Sequence, residues 1–217
     1  MADLPVQLAD PALRDALIAA ADPEGRIPRA LAELGPLADR DVVLLDPDAG
    51  LRAGQLADAA ARVVPVPLAA LADVPDGSAD VVAGFWNAIA PGEAAAADEV
   101  GHAMRILRPG GRLLLVHAYG RDDVLPLVAP EQRERAIAWS RPRGPFLGNG
   151  FRVRVLHCTW AWPDLDAAAA FLGAAFGAAG ATRAAELARP RLEWKVALYH
   201  RDRDVRRVVR GAAGAAA

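Results

Sequence analysis

Cysteine and lysine are almost absent from the 217-residue sequence, which has one of each, Cys158 and Lys195. A single cysteine excludes an internal disulfide and a cysteine-rich metal site, and it suits a reducing compartment. Neither sign of charge is in excess, because 25 Lys and Arg residues face 27 Asp and Glu residues, for a net charge of -2. Without a positive field that attracts phosphates or anionic lipids, we expect no nucleic-acid or membrane partner.

The N-terminal 25 residues also lack a long apolar run, and acidic residues appear early in them. We therefore expect no secretory signal or membrane span there, and a cytoplasmic protein. Alanine is abundant, with 51 copies, and arginine supplies 24 of the 25 basic residues, a bias typical of GC-rich coding. The length fits one domain over residues 1–203 with a helical lead-in over 1–38, followed by a flexible tail over 204–217.

Apolar strands alternate with helical patterns along the chain. After helical spacing at 11–21 and 26–34, DVVLLD at 41–46 is typical of a buried parallel strand. Two prolines in RVVPVPL, at 62–68, favour a strand at the edge of the sheet. The alternation predicts an open α/β sheet with helices on both faces. The other expected strands are 79–86, 111–119, 151–162 and 191–202, and the other helices are 51–61, 92–107, 130–139 and 164–180.

Two motifs in the middle of the chain resemble a known family. The first is PDGSADVV, with Asp76, Gly77, Ser78 and Asp80, and the second is RILRPGG, with Arg105, Leu107, Pro109, Gly110 and Gly111. Over residues 40–120 the sequence resembles the class I SAM-dependent methyltransferases, especially type 11. The resemblance implies a mostly parallel Rossmann-like sheet whose last strand is antiparallel. Between 41–46 and 79–86 there is room for one strand and one helix where the family has two of each, so we expect a sheet one βα unit short.

The resemblance also implies S-adenosyl-L-methionine as cofactor, held by an altered motif. Carried over from Asp46, the glycines of the family pattern Asp-x-Gly-x-Gly-x-Gly fall on Asp48, Gly50 and Arg52, so the middle glycine alone remains. The acid that accepts the ribose hydroxyls falls on Pro67 or Leu68, which carry no carboxylate. The cofactor-binding candidates are Asp46, Asp48, Gly50, Leu68 and Trp86.

Each of these candidates also has a structural interpretation. Asp46 and Asp48 suit a turn with Asx hydrogen bonds as well as a ligand contact, and Gly50 suits a turn more than a binding site. Trp86 follows the third expected strand, where it contacts a ligand or belongs to the core.

A catalytic residue is harder to assign. His117 falls at the carboxyl end of the fourth expected strand, where a neutral imidazole can act as a general base or belong to the core. Trp160 and Trp162 alternate on one strand, share a face and are expected to pack against a helix. We expect no metal site, since His157 and Cys158 lie on a strand without a second cysteine.

These observations lead to two hypotheses of different classes. The first is a SAM-dependent methyltransferase acting on a small molecule. The second is a non-catalytic methyltransferase-like domain that binds a protein partner or another metabolite. A nicotinamide-binding domain is disfavoured because DPDAGLRAG lacks the pattern Gly-x-Gly-x-x-Gly. A dehalogenase-type phosphatase is also disfavoured, because its chemistry calls for a lysine and the sole lysine, Lys195, lies on the last expected strand. The sequence leaves the acceptor and the oligomeric state open.

Overall fold

The computed structural model describes residues 4–35, 37–45, 51–86, 89 and 94–204. The predicted site residues Asp46, Asp48 and Gly50 lie outside these ranges, as does the tail from residue 205. The helices are α1 (Pro11–Ala20), α2 (Arg26–Leu34), α3 (Leu51–Ala57), α4 (Ala94–Ile106), α5 (Pro130–Trp139) and α6 (Leu165–Ala185). The strands are β1 (Asp41–Leu45), β2 (Arg62–Val66), β3 (Ala79–Phe85), β4 (Leu107–Ala118), β5 (Arg152–Ala161) and β6 (Arg191–Asp202).

The six strands form one sheet in the order β2-β1-β3-β4-β6-β5. Strands β2, β1, β3 and β4 are parallel, and β6 is antiparallel to both of its neighbours. Within the described residues, β2 and a short 3-10 helix (Leu68–Asp73) are the regular elements between α3 and β3. The predicted fold class is therefore confirmed, including the shortened sheet and the antiparallel last strand. β2 lies at the edge, where the missing N–H of Pro65 is tolerated.

Helices cover both faces of the sheet because the strands are apolar on both sides. In β4, Leu113 and Leu114 point to opposite faces, and neither is accessible to solvent. The first face packs against α1, α2 and α6 through Leu17, Leu31 and Leu172. The second face packs against α4 and α5 through residues that include Ile106 and Trp139.

Helix α6 continues beyond its predicted end at Gly180. Asp164 caps it by accepting a hydrogen bond from the Ala167 N–H at 2.8 Å, and a non-helical residue, Gly177 with φ of 57°, kinks it without ending it. At 21 residues it is long and apolar enough to cross a membrane by length and composition. One side of it nevertheless packs against the sheet, through residues that include Phe171 and Leu172.

The fourth strand begins at Leu107, so the prediction that it starts at Gly111 was wrong. Leu107 pairs with Ala79, and regular pairing resumes at Arg112 with Val81, which leaves a bulge between the two pairs. An added Cβ on Gly111 would lie 2.8 Å from the carbonyl oxygen of Asp80. The Pro-Gly-Gly turn is therefore a bulge that packs directly against β3, and glycine is needed for that approach.

Ion pairs join the two motifs at the amino ends of the parallel strands. Arg108 donates to Asp80 at 2.6 Å and to Asp41 at 2.8 Å, and Arg105 forms an ion pair with Asp76. The hydrogen bond from Arg108 also lowers the pKa of Asp41. We call these five residues the amino-edge network. The motif residues it contains are thus structural, and they identify a fold rather than a reaction.

Candidate functional site

Trp86 and His117 meet at the opposite edge, where the parallel strands β3 and β4 end. Phe85 pairs with Val116, and the backbone N–H of Trp86 donates to the Val116 carbonyl oxygen at 2.6 Å. This places Trp86 beside His117, as their predicted positions at the carboxyl edge require. Trp86 has a φ of 55°, in the left-handed region that bulky residues seldom adopt. Such strain is found more often at ligand-binding positions than elsewhere.

A small cavity lies between these two residues and α5. Its volume is about 40 Å³, enough for water molecules or another small polar group. One face of α5 covers it, with Gln132, Arg135, Ala136 and Trp139 at the i, i+3, i+4 and i+7 positions. We call this cavity the edge pocket, and its lining residues are Pro5, Trp86, His117, Ala118, Gln132, Arg135, Ala136 and Trp139.

Buried polar atoms in the edge pocket lack partners. His117 is 1% exposed, and neither of its ring nitrogens has a hydrogen-bond partner among the residues that the structure describes. The indole Nε1 of Trp86, a residue 3% exposed, is likewise without a partner there. Each buried donor or acceptor left in this state costs about 1–3 kcal/mol. Most buried polar groups in proteins are satisfied, so these atoms indicate that water or a ligand completes the site.

The surroundings of His117 keep its imidazole neutral. Its ring centroid lies 4.8 Å from that of Trp139 and 5.1 Å from that of Phe146. Burial lowers the pKa of His117 to about 3, and the charge of Arg135 lowers it further, while the Trp86 carbonyl acts in the opposite direction without reaching hydrogen-bond geometry. A neutral imidazole offers one N–H donor and one acceptor nitrogen.

Arg52 occupies the third glycine position of the family pattern, and its side chain folds over the end of β3. The residue is 6% exposed, and its guanidinium lies 5.1 Å from the Phe85 ring centroid and 5.9 Å from that of Trp86. Its Nη1 donates to Oε1 of Gln55 at 2.8 Å. A buried positive charge therefore lies next to Trp86, on aromatic rings that stabilise it.

Leu68 is not brought into the edge pocket. It begins the 3-10 helix after β2, and its partly buried side chain packs on the second face of the sheet. Strand β1 separates β2 from β3, so Leu68 and Trp86 lie two strands apart.

The described residues depart from the family's S-adenosyl-L-methionine site at one position, the residue after β2. The chain following β2 continues through Pro67 and Leu68, so no carboxylate is present there for the ribose hydroxyls.

Other candidate side chains have structural roles. Trp160 is inaccessible to solvent and stacks on Phe176 with a centroid distance of 6.3 Å, and Trp162 lies 5.5 Å from Phe171, so both pack against α6 as predicted. Burial raises the pKa of Cys158 to about 12, which keeps the thiol protonated and unreactive at neutral pH. Within the described ranges, no three His, Cys, Asp or Glu residues are grouped as a metal site.

Sequence reasoning missed Gln132 and Arg135. Together with Ala136 and Trp139 they have the spacing that places four residues on the same face of a helix. The signal mixes polar with apolar residues, so by itself it does not distinguish a site from a solvated surface.

Comparison with known proteins gives a fold but no sequence relative. No protein-family model matches the chain, and no curated protein matches it in sequence. YcgJ from Bacillus subtilis has a similar structure, with a TM-score of 0.50 at 14% identity over 82% of this chain and 97% of that one. A proposed methyltransferase from Bacillus halodurans C-125 gives 0.45 at 14% identity, covering 83% and 100%. A proposed type 11 methyltransferase from Sulfolobus solfataricus gives 0.43 at 15% identity, covering 63% and 85%.

Identities this low are informative about the fold and carry no activity over to this chain. The protein has the Rossmann-like fold of the class I methyltransferases, the fold that its motifs predicted.

Proposed function

We propose that the protein is a cytoplasmic methyltransferase that transfers a methyl group from S-adenosyl-L-methionine to a small-molecule acceptor held at the edge pocket. The observation that carries this proposal is the position of the pocket. It lies at the carboxyl ends of parallel strands, where open α/β sheets bind their ligands, and the buried nitrogens of Trp86 and His117 lack partners among the residues that the structure describes.

The chain's own residues would orient the acceptor and exclude water. Bound S-adenosyl-L-methionine supplies an electrophilic methyl group that carries its own leaving group. An enzyme using it has mainly to align the acceptor, which is worth several kcal/mol of the barrier. The indole N–H of Trp86 can donate to an acceptor oxygen, and the ring of Trp139 shields the pocket from solvent.

His117 suits the positioning of the acceptor better than proton removal. With its pKa lowered to about 3, the imidazole is a weak base at neutral pH, and an effective general base has a pKa near the working pH. Its neutral ring can still donate or accept one hydrogen bond at fixed geometry.

Isothermal titration of the full-length protein with S-adenosyl-L-methionine and S-adenosylhomocysteine tests donor binding directly. We expect saturable binding of both, weakened by the missing ribose carboxylate. The proposal is overturned if neither ligand binds at millimolar concentration. Mass spectrometry of the native protein would in addition identify a co-purified acceptor or donor.

A non-catalytic methyltransferase-like domain that binds a protein partner or another metabolite is the second candidate. The absence of a carboxylate after β2, where the chain continues through Pro67 and Leu68, favours this candidate. Methyl transfer from S-adenosyl-L-methionine to any acceptor would refute this candidate. A co-purified metabolite together with no donor binding would support it.

A further inference from the structure

We infer that the edge pocket recognises a carboxylate group on a small molecule, bound between Arg135 on α5 and the indole N–H of Trp86. The inference rests on the proposed function only in taking the edge pocket as the acceptor site. It names the chemical class of the molecule that the pocket selects.

Hydrogen-bond donors dominate the pocket. Trp86 contributes a buried indole N–H that has no partner among the described residues, and on one face of α5 Arg135 contributes guanidinium N–H groups and Gln132 an amide with both N–H and C=O groups. His117 adds one donor and one acceptor in its neutral form. No Asp or Glu is among the lining residues. A ligand that brings acceptor oxygens therefore satisfies more of these groups than a ligand that brings donors.

Arg135 contributes a positive charge to the lining of the pocket. Arg135 is exposed, and no carboxylate of the described residues forms an ion pair with it. Its charge is felt by His117, where it opposes protonation of the ring. A guanidinium binds carboxylates strongly, often through two parallel hydrogen bonds. An amine or a cation would instead meet repulsion from the same group.

The size of the pocket limits what enters it. A volume of about 40 Å³ accepts a planar group of three heavy atoms, with the remainder of the molecule outside. A carboxylate matches both the size and the donor-rich lining.

The test is a two-dimensional NMR titration of the full-length protein with sodium acetate, read at the indole Nε1–H signal of Trp86. This signal is assigned by its loss in W86F, and sodium chloride holds the ionic strength constant. We expect a saturable shift of the Trp86 signal in the millimolar range. Acetamide, which is neutral and of the same shape, is expected to shift the signal much less.

R135Q removes the charge from an exposed side chain, so folding is preserved. We expect it to weaken acetate binding about fivefold, the effect of losing about 1 kcal/mol from a partly solvated ion pair. R141Q is the matched control, because Arg141 is exposed and does not line the pocket, and its acetate affinity should be unchanged.

Three outcomes would overturn the inference: a Trp86 signal that does not respond to acetate, an equal response to acetamide, or equal weakening in R135Q and R141Q. The first would mean that water alone occupies the pocket. Acetate binding without donor binding would refute the proposed methyltransferase and leave the carboxylate site intact. Donor binding without an acetate response would refute the carboxylate site and leave the proposed methyltransferase standing.

Discussion

Polar groups are paired at one end of the parallel strands and left without partners among the described residues at the other end. At the amino edge, Arg108 and Asp80 pair at 2.6 Å, and Asp80 also accepts the backbone N–H of Asp41 at 3.0 Å. At the carboxyl edge, His117 and Trp86 are almost fully buried, yet their ring nitrogens lack partners among the described residues. The amino edge holds the sheet together, whereas the carboxyl edge keeps binding groups available at a cost in stability.

This contrast explains why the motifs identified a fold more clearly than a function. PDGSADVV and RILRPGG contact one another through Arg105 with Asp76 and Arg108 with Asp80, all at the amino edge. The turn after β1 and the residue after β2, which the family uses for the cofactor, are the places where this sequence departs from the pattern. This chain therefore keeps the fold motifs of the family while it departs from the family's cofactor-binding positions.

The largest effect is expected from G111A, which breaks the amino edge. The new Cβ would lie 2.8 Å from the Asp80 carbonyl oxygen and 2.9 Å from that of Arg108, both backbone atoms. We expect a loss of about 3 kcal/mol in the free energy of unfolding, measured by urea denaturation. G101A is the control: nothing lies within 4 Å of its added Cβ, and in the helix it should stabilise by about 0.5 kcal/mol. Equal stability of the two variants would show that β3 and the bulge do not pack tightly.

Acidification should weaken the wild-type protein through the carboxyl edge. The pKa of His117 is about 3 when folded, against about 6.5 when unfolded, so the unfolded state binds more protons between these values. Stability therefore falls as the pH drops below about 6.5. From pH 7 to pH 5 we expect the wild type to lose about 2 kcal/mol more than H117F, from urea denaturation at each pH. If the free energies of unfolding of the wild type and H117F changed equally with pH, the imidazole would be accessible to solvent protons in the folded state.

D80A should destabilise the amino edge less than G111A. It removes the acceptor of Arg108 and leaves the Asp41 N–H without its partner. Because the Asp80 side chain is 17% exposed, water compensates in part, and we expect a loss of about 1.5 kcal/mol. D15A is the matched control on the exposed side of α1 and should change stability by less than about 0.5 kcal/mol. A D80A protein as stable as D15A would mean that the network is too solvated to matter.

The smallest effect is expected from H117F at neutral pH, and its sign is the informative part. Phenylalanine keeps the aromatic contacts with Trp139 and Phe146 while removing two unpartnered nitrogens. We expect stabilisation by about 1 kcal/mol in urea denaturation, together with weaker acetate binding because one donor is removed from the lining. H157F alters an exposed histidine on β5 and should leave both quantities nearly unchanged. Destabilisation by H117F would show that tightly held water already satisfies the ring.

Sequence patterns predicted the elements better than their ends. The last strand matched its predicted residues, because RLEWKVALYHRD is bounded by a proline before it and by charges after it. The start of β4 was missed, since Leu107 pairs with Ala79 across a bulge that no local pattern indicates. The sequence placed His117 and Trp86 at the ends of consecutive expected strands, whereas the tertiary structure decided that these strands are neighbours and that Arg135 lines the pocket.

The sequence by itself determined the α/β class, the edge position of β2 and the loss of the family's glycines and ribose carboxylate. These features depend on local periodicity, on proline chemistry and on residue identity. The tertiary structure alone decided that His117 is neutral, that Arg52 lies over aromatic rings and that Arg135 faces a small buried pocket. Burial and electrostatic surroundings are set by residues far apart in the chain, and no local pattern encodes which of them meet.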